Sequence, residues 1–167
     1  MSEKDFLFCV RCGAELVDKR IEGRIRRSCE SCGYIAYENP VPCSAALVRK
    51  ENGQILLVNR GVEPACGKWA LPSGFIEIDE TPWAACIREL KEETGLDGNI
   101  IRLIGVYSQK SALYKNVLIV GYEVKAKGKL IPGSDSLDAA FFPLENLPDI
   151  PFASHRKIIQ DGESKAQ

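Results

Sequence analysis

Apolar and polar positions alternate along the middle of the chain in a pattern typical of β-strands. Two apolar runs, residues 43–50 and 54–60, are separated by Glu51-Asn52-Gly53. An Asn-Gly pair between two such runs favours a tight turn, because both residues tolerate positive φ angles. The pattern therefore predicts that the two runs form a β-hairpin.

A second pair of β-rich runs, residues 100–109 and 116–126, lies later in the chain. The stretch near 111–114 is expected to form the turn that joins them. Short helical turns are expected within 143–160, and the polar end of the chain, 161–167, is expected to be flexible. Strands with interspersed helices indicate a mixed α/β sheet.

One helix is clearly marked at both ends. Thr81-Pro82 is typical of a helix start, with Thr as the N-cap and Pro at the first helical position, where its missing N–H is not needed. Thr94-Gly95 is typical of a helix end, because glycine readily adopts the left-handed conformation. The three- and four-residue spacing of the larger side chains predicts a core-facing side made by Trp83, Ile87, Leu90 and Thr94.

Three glutamates, Glu89, Glu92 and Glu93, fall together on another side of this helix. Positions three and four residues apart are neighbours on a helix, and Lys91 points elsewhere, so like charges accumulate there. Mg²⁺ or Mn²⁺, which prefer carboxylate and water oxygens, would neutralise the cluster. A solvated, glutamate-rich helix face is the alternative interpretation.

The first 36 residues contain two Cys-x-x-Cys pairs, each followed by a glycine, with a polar stretch between them that favours short strands. This segment is too short to bury a core of its own, so one tetrahedral Zn²⁺ is expected to stabilise it. The alternative is a set of buried or oxidised cysteines. The stiff segment Tyr37–Pro42 is expected to join this module to the main domain. The predicted zinc ligands are Cys9, Cys12, Cys29 and Cys32.

The composition of the 167 residues, of which 45% are apolar, fits one ordinary domain plus a small module. Lys and Arg number 22 against 23 Asp and Glu, so net charge gives no indication of general binding to nucleic acid or membranes. The start of the chain is charged before it is apolar, unlike a signal peptide, and no run is long enough to span a bilayer. A cytoplasmic location is therefore expected, where thiols stay reduced.

A longer motif surrounds the helix and its preceding loop. It reads Gly74, five residues, Glu80, seven residues, then Arg88-Glu89-Leu90-Lys91-Glu92-Glu93-Thr94-Gly95-Leu96. This segment resembles the Nudix box and matches it at every specified position. The resemblance implies a Nudix α/β/α sandwich with a mixed sheet, and a catalytic metal held by Glu89, Glu92 and Glu93. It also implies that Glu80 pairs with Arg88 to hold the helix and its loop in register.

The resemblance implies that water cleaves a diphosphate bond. Metals that bridge a diphosphate neutralise its oxygens, orient the water and stabilise the leaving phosphate. A base must accept the proton of the water, and members of this superfamily draw it from the box or from a later loop. The candidates are Glu77 near the box and Asp135 and Asp138 in the later loop, and their spacing does not choose among them. A solvated turn is the alternative interpretation of the two aspartates.

The resemblance covers most of the chain. A zinc ribbon over 1–36 followed by a hydrolase domain over 37–160 is similar to the zinc-ribbon Nudix group, which includes NADH, ADP-ribose and FAD pyrophosphohydrolases. The NADH-pyrophosphatase group carries a Ser-Gln-Pro-Trp-Pro-Phe-Pro stretch where this chain has residues 106–110, Val-Tyr-Ser-Gln-Lys. The resemblance therefore favours ADP-ribose, FAD or a similar dinucleotide. Further matching segments are Gly33-Tyr34, Tyr37–Pro40, Gly67–Gly74, Pro132–Leu137 and Phe141-Phe142.

Contacts to such a substrate are expected around the loop that precedes the box. Arg60 and Lys68 flank this loop and are candidates to bind phosphate, although surface cations usually only interact with water. Candidates to stack on a base are Trp69, Phe75, Tyr37 and Tyr107, although aromatic residues beside strands usually belong to the core. His155 is expected to be a capping or surface residue, and Cys86 a small buried apolar group.

Two other classes of function compete with hydrolysis. The first is a Nudix-like regulator that senses a nucleotide sugar without cleaving it, which loss of box carboxylates would favour, and none is lost. The second is a zinc-ribbon protein that binds nucleic acid through Lys19, Arg20, Arg24, Arg26 and Arg27. Acidic neighbours reduce the net positive charge of that patch. The expected partner is therefore a small-molecule nucleotide, binding to nucleic acid or to a membrane is not expected, and a homodimer is possible. Those neighbours are Glu15, Asp18, Glu22 and Glu30.

Overall fold

The computed structural model describes residues 7–111, 113–133 and 135–164. The chain divides into two compact units, Met1–Asn39 and Pro40–Gln167. The division follows Asn39, within the proline-containing segment predicted as a joint, whereas the sequence placed the end of the first module at Ala36. No helix in the described ranges is long and apolar enough to cross a membrane.

The first unit is a small antiparallel sheet of three strands, β1 (Val17–Ile21), β2 (Arg24–Ser28) and β3 (Ile35–Ala36), in that order. The polar stretch between the cysteine pairs therefore forms short strands, as predicted. From residue 7 onwards, where the structure describes this unit, its buried apolar core consists of Cys9, Leu16, Cys29 and Ala36. So small a core cannot by itself offset the entropy of ordering the segment.

The described residues of the second unit form two sheets and two α-helices. A four-stranded mixed sheet has the order β7-β4-β9-β8, in which only the β4–β9 pair is parallel, and a three-stranded antiparallel sheet has the order β10-β5-β6. The elements are β4 (Val41–Val48), β5 (Ile55–Arg60), β6 (Trp69–Ala70), β7 (Ser73–Phe75), α1 (Pro82–Thr94), β8 (Asp97–Ser111), β9 (Lys115–Lys127), β10 (Ser136–Phe142), a 3₁₀ turn (Leu144–Asn146) and α2 (Ala153–Ser164).

The predicted hairpin between β4 and β5 is wrong, although its turn exists. Gly53 has a φ of 82°, and the Lys50 N–H donates to the Gln54 carbonyl at 2.9 Å, as a tight turn requires. The two strands then separate into different sheets and share only the bridge between Arg49 and Ile55. Both strands are apolar on both faces, and such strands pack between layers rather than in a two-stranded ribbon.

The layers follow from the two buried faces of β4. Ala45 and Leu47 pack with Ile158 of α2, whereas Ala46 and Val48 pack with Leu90 of α1. Successive side chains of a strand point to opposite faces, so the two helices cover opposite sides of the sheet. The predicted α/β/α sandwich is confirmed, as is the predicted pairing of β8 with β9.

Helix α1 begins and ends where the sequence predicts. The Thr81 hydroxyl accepts the Ala84 N–H at 3.3 Å, and Gly95 adopts the left-handed conformation with a φ of 72°. The core-facing side is only partly as predicted, because Trp83 is 54% exposed while Cys86 is buried in its place. The prediction that Cys86 is a small buried group is confirmed.

The end of the described chain is more ordered than its polarity suggests. Helix α2 continues to Ser164, so the expectation of a flexible end is wrong for residues 161–164. Within 143–160 the 3₁₀ turn is a short helical turn as expected, whereas α2 is a longer helix. The Gly162 carbonyl accepts a bond from Arg102 at 3.0 Å. A side chain at Gly162 would collide with Leu47, so the last turn packs on the sheet. Residues 165–167 lie outside the described part of the chain.

Two glycines allow the helices to approach the sheet closely. A Cβ atom on Gly98 of β8 would lie 2.7 Å from Leu90 of α1, and one on Gly121 of β9 would lie 2.8 Å from Ile158 of α2. These contacts are shorter than carbon atoms tolerate. The absence of a side chain at each position therefore sets the depth at which its helix packs.

We expect Gly121→Val to lower the free energy of unfolding by about 1–3 kcal/mol, because α2 must move away from β9 to accommodate the new side chain. Urea denaturation followed by circular dichroism measures the loss. Leu118→Val, a substitution at a partly exposed position of the same strand, is the control and should change the free energy by less than about 0.5 kcal/mol. Equal stability of the two variants would contradict this packing.

Candidate active site

The candidate site is built where the loop before α1 passes under the helix. Strand β7 pairs with β4 through Gly74 opposite Ser44, which fixes the loop against the sheet. A Cβ atom on Gly74 would overlap the carboxylate of Glu89. Only glycine at this position lets the Glu89 carboxylate lie against the loop backbone, so Gly74 and Glu89 are matched by shape.

Arg88 connects the loop to the glutamates of the helix. Its Nε and Nη2 donate to the two oxygens of Glu80 at 3.1 and 2.6 Å, and Nη2 also donates to the Phe75 carbonyl at 3.0 Å. Its Nη1 donates to Glu89 at 2.7 Å and to Glu92 at 2.9 Å. The Arg88 hydrogen bonds hold the pKa of the Glu80 carboxyl below its ordinary value. The structure thus contains the expected Glu80–Arg88 pair, and it adds a bridge to Glu89 and Glu92 that the sequence did not predict.

Glu93 lies in a different environment from Glu92. Its carboxylate accepts the Ser73 N–H at 3.0 Å, and burial raises its pKa to about 8, with the Glu89 charge adding to the effect. Burial likewise raises the pKa of Glu89, whereas the Glu92 side chain is 56% exposed. Carboxylates withdrawn from water beside one another favour a cation as partner. The three oxygen donors suit a hard divalent ion such as Mg²⁺ or Mn²⁺.

The loop after β9 secures the C-terminal end of α1. The Ile131 and Gly133 N–H groups donate to the carbonyls of Thr94 and Glu93 at 2.9 and 3.0 Å. A Cβ atom on Gly133 would overlap the carbonyl of Glu92. The last carbonyls of the helix thereby obtain partners, and this loop is fixed beside the glutamates.

The three candidate bases occupy different positions. Asp135 lies two residues after Gly133, at the end of the loop that packs on α1. Its negative charge contributes to the raised pKa of Glu93. The Asp135 carbonyl accepts the Gly61 N–H at 2.8 Å, where a side chain on Gly61 would be too close. Asp138 instead lies in β10, and its carboxylate accepts the next backbone N–H at 2.7 Å. Glu77 is exposed in the loop before α1.

A pocket of about 580 Å³ opens beside Gly74. Ser73, Gly74 and Phe75 line one part of it, and the end of β8 and the start of α2 line other parts. The rings of Phe75 and Tyr114 meet edge to face, with centroids 5.1 Å apart, so the tip of the β8–β9 pair contacts the loop that carries Gly74. The pocket is large enough for a nucleotide-sized ligand next to the carboxylates.

The structure brings only some of the expected substrate contacts to this pocket. Arg60 and Phe75 line it, whereas Lys68 forms an ion pair with Asp149 at 3.1 Å. Trp69 packs against Phe142 in the core, which is the ordinary structural interpretation of an aromatic residue beside a strand. Tyr107 donates to Asp161 at 2.9 Å and is not part of the lining, and Tyr37 belongs to the first unit.

Two pocket residues were misjudged or missed by sequence reasoning. His155 is buried with 4% exposure, so the expectation of a surface position is wrong. Gln109 also lines the pocket, at the end of the long strand β8. A single polar residue at the end of a strand has no sequence pattern that marks it. Only the folded chain brings Gln109 and His155 to one cavity.

The four cysteines of the first unit converge. Cys9 and Cys32 sulfurs lie 3.6 Å apart, those of Cys12 and Cys29 lie 3.4 Å apart, and all four lie within 4.8 Å of one another. The Gly13 and Gly33 N–H groups donate to the carbonyls of Cys9 and Cys29 at 2.9 and 3.0 Å, so both pairs form the same turn. A tetrahedral Zn²⁺ site requires four thiolates arranged in this way.

Comparison with known proteins agrees with this geometry. The model of the NUDIX domain matches residues 40–162. An ADP-ribose pyrophosphatase of Methanocaldococcus jannaschii is 38% identical over 148 residues, which cover 87% of this chain and 86% of that protein. An NAD-capped RNA hydrolase, NudC, of Vibrio atlanticus is 32% identical over 144 residues, which cover 86% of this chain but 51% of that protein. The chain therefore spans about half the length of this NudC relative.

Solved structures show the same fold. A crystal structure of a NUDIX hydrolase from Nitrosomonas europaea superposes with a TM-score of 0.82 at 29% identity, covering 96% of this chain and 94% of that chain. The intact box, the domain match over residues 40–162 and the 38% identity to the M. jannaschii protein identify this protein as a member of the NUDIX family, a Nudix hydrolase.

Proposed function

We propose that this protein hydrolyses the diphosphate bond of ADP-ribose, or of a closely similar nucleoside diphosphate linked to a second group, with Mg²⁺ or Mn²⁺ as cofactor. The observation that carries the proposal is the position of Glu89, held against Gly74 at the edge of a nucleotide-sized pocket. A carboxylate cluster beside a pocket of that size supports a diphosphate substrate. The M. jannaschii relative, named an ADP-ribose pyrophosphatase, matches nearly its full length.

Glu89, Glu92 and Glu93 are proposed to hold the divalent ion. When bound, such an ion neutralises the diphosphate oxygens and increases the acidity of a bound water. Arg88 bridges Glu89 and Glu92, and its bonds to Glu80 and to the Phe75 carbonyl would keep it attached to the loop if a cation bound between the two glutamates. The pair of Arg88 and Glu80 would then still hold the helix in register with the loop.

Arg60 and Asp135 are proposed to act beside the glutamates. Both charges act on the Glu93 carboxyl, in opposite directions, so both side chains lie near it. Arg60 carries two Nη groups suited to phosphate oxygens. Asp135 is the candidate to accept the proton of the attacking water, because its charge acts on Glu93, whereas the Asp138 carboxylate accepts its neighbouring N–H.

The cysteine cluster is proposed to hold one structural Zn²⁺. The convergence of four sulfurs in a unit with a very small buried core supports this assignment. All seven cysteines are free, which fits a reducing cytoplasmic location. Binding of nucleic acid by the ribbon is less supported, because Arg27 pairs with Asp18 and Arg26 with Glu22.

We expect ADP-ribose to be the best substrate in a panel that also contains FAD, NADH, diadenosine polyphosphates and nucleoside triphosphates, each assayed with Mg²⁺ and with Mn²⁺. The products from ADP-ribose should be AMP and ribose 5-phosphate, and reaction in ¹⁸O-labelled water shows which phosphorus is attacked.

Glu92→Gln and Glu93→Gln should lower kcat by orders of magnitude with little loss of folding, because the ion loses a charged ligand.

The control for these two variants is Glu51→Gln, in the turn between β4 and β5, which should retain full turnover. Unchanged turnover in both box variants would remove α1 from the mechanism. Absence of hydrolysis of every compound in the panel, with folded protein and both metals, would refute the proposed function.

We expect Asp135→Asn to lower kcat about 10²–10⁴-fold, the range that general base catalysis supplies. Asp138→Asn is the matched comparison and should retain most of the activity, because its carboxylate faces the adjacent backbone. Steady-state kinetics across pH 6 to about 10 separates the two, since loss of a base also removes the rise of rate with pH. The opposite ranking would assign the role to Asp138, and no effect in either would favour Glu77.

We expect the purified chain to contain about one zinc ion, measured by elemental mass spectrometry. Cys9→Ser should lose the ion and disorder the first unit, because a thiolate ligand and the folding energy that it supplies are both removed. Cys66→Ser, at an exposed cysteine outside the cluster, should keep the ion. Full zinc content in Cys9→Ser would contradict the assignment.

A further inference from the structure

The start of α2 forms one wall of the pocket. Phe152, Ala153 and His155 line this wall, and Gln109 lines the pocket from the end of β8. Neither Gln109 nor His155 belongs to the box or to the proposed base. Each of the two side chains has an N–H group, Nε2–H of His155 and the NH₂ group of Gln109, that donates to no acceptor among the described residues.

His155 is held in one protonation state and one tautomer. The Leu71 backbone N–H, which can only donate, lies 3.2 Å from Nδ1, so Nδ1 is the acceptor and the ring hydrogen is on Nε2. Burial, together with the nearby Arg60 charge, lowers the pKa of His155 to about 3, so the ring is uncharged at neutral pH. Within the described ranges, Nε2–H has no acceptor, although the side chain is 96% buried and lines the pocket.

Gln109 is oriented by the same kind of argument. Its Oε1 accepts both the Ser154 backbone N–H at 3.1 Å and the Ser154 hydroxyl at 2.8 Å. Since the backbone N–H requires an acceptor, the amide oxygen faces α2 and the NH₂ group points away from Ser154. In the part of the chain that the structure describes, this NH₂ group donates to no protein atom.

Arg60 completes this set of donors. Its Nε donates to the Pro64 carbonyl at 2.8 Å, and its guanidinium lies 5.3 Å from the centre of the Phe152 ring. Arg60 lines the pocket together with Phe152 and His155, and its charge acts on both Glu93 and His155. All three donor residues line the pocket, where a ligand or a water can accept their hydrogen bonds. A positive charge here also disfavours a cationic ligand group.

We propose that His155 and Gln109 form a donor subsite that binds an acceptor oxygen or ring nitrogen of the substrate away from the bond that is cleaved. The occupant is a neutral or anionic group, such as a ribose, a phosphate or an unprotonated base, and this identity rests on the proposed function. Both halves of ADP-ribose offer such atoms. The subsite determines how tightly the substrate binds, whereas the glutamates of α1 determine how fast the bond breaks.

The test uses two variants that remove donors and keep the structural bonds. His155→Asn places an acceptor near the position of Nδ1 for the Leu71 N–H but has no group in place of Nε2–H. Gln109→Glu keeps an oxygen for Ser154 and replaces the NH₂ group with a second oxygen. We expect KM for ADP-ribose to rise about three- to tenfold in His155→Asn, the cost of one neutral hydrogen bond, and more in Gln109→Glu because of its negative charge. In both, kcat should change less than KM.

Lys157→Ala, at an exposed position of α2 whose side chain pairs with Asp161, is the control and should leave KM unchanged. Thermal unfolding of every variant shows whether a change in KM comes from lost binding or from lost stability. If His155→Asn fails to fold, the result for Gln109→Glu decides the test. Equilibrium binding of AMP and of ribose 5-phosphate shows which half of the substrate occupies the subsite. The half that loses affinity in both variants is the occupant.

The proposal is overturned if neither variant changes KM or the affinity for either product, or if Lys157→Ala causes the same loss. The outcome is separate from that of the proposed function. Should the wild-type protein cleave no diphosphate, calorimetric binding of AMP, ribose 5-phosphate and ADP-ribose to the same variants still measures the donors. Loss of cleavage with an intact effect on binding would refute only the proposed reaction.

Discussion

The contact between the Glu89 carboxylate and the bare Cα of Gly74 constrains the rest of the candidate site. Gly74 is fixed because β7 pairs with β4 at the centre of the fold, and Glu89 is fixed because α1 is anchored at both ends. Arg88 then spans the same gap with a charged hydrogen-bond network. The acidic side chains are thus crowded together by rigid elements, which oppose the repulsion that would otherwise separate them.

Two kinds of polar group surround the pocket. Carboxylates accumulate beside Gly74, whereas N–H groups from β5, β8 and α2 face the cavity near the start of α2. Arg60 also lines the pocket, and its charge acts on both Glu93 and His155. A substrate with a central diphosphate and polar ends would match this distribution. Cations, if held by the carboxylates, would attract its diphosphate, and the N–H donors would attract another part of the same molecule.

Sequence reasoning succeeded where the determinants are local. The caps at Thr81 and Gly95, the cysteine turns and the spacing of Glu89, Glu92 and Glu93 depend on residues a few positions apart. It failed where contacts between distant segments determine strand pairing or the facing of a side chain. Asn52-Gly53 forms its turn, but the choice of sheet for β5 depends on β10, and Trp69 is turned to the core by Phe142. His155 and Gln109 become pocket residues only because α2 packs on the end of β8.

The long β8–β9 pair contacts both helix α1 and the loop at the pocket, which lie at opposite ends of the pair. Near one end, Gly98 makes room for α1, and at the other end Tyr114 meets Phe75 at the pocket. Antiparallel register is shared along the whole ladder, so an insertion or deletion of one residue would reverse the facing of every later side chain. A change of one residue is therefore absorbed only where the ladder is already irregular, at the two bulges of β8, or outside the ladder, in the turn between the two strands.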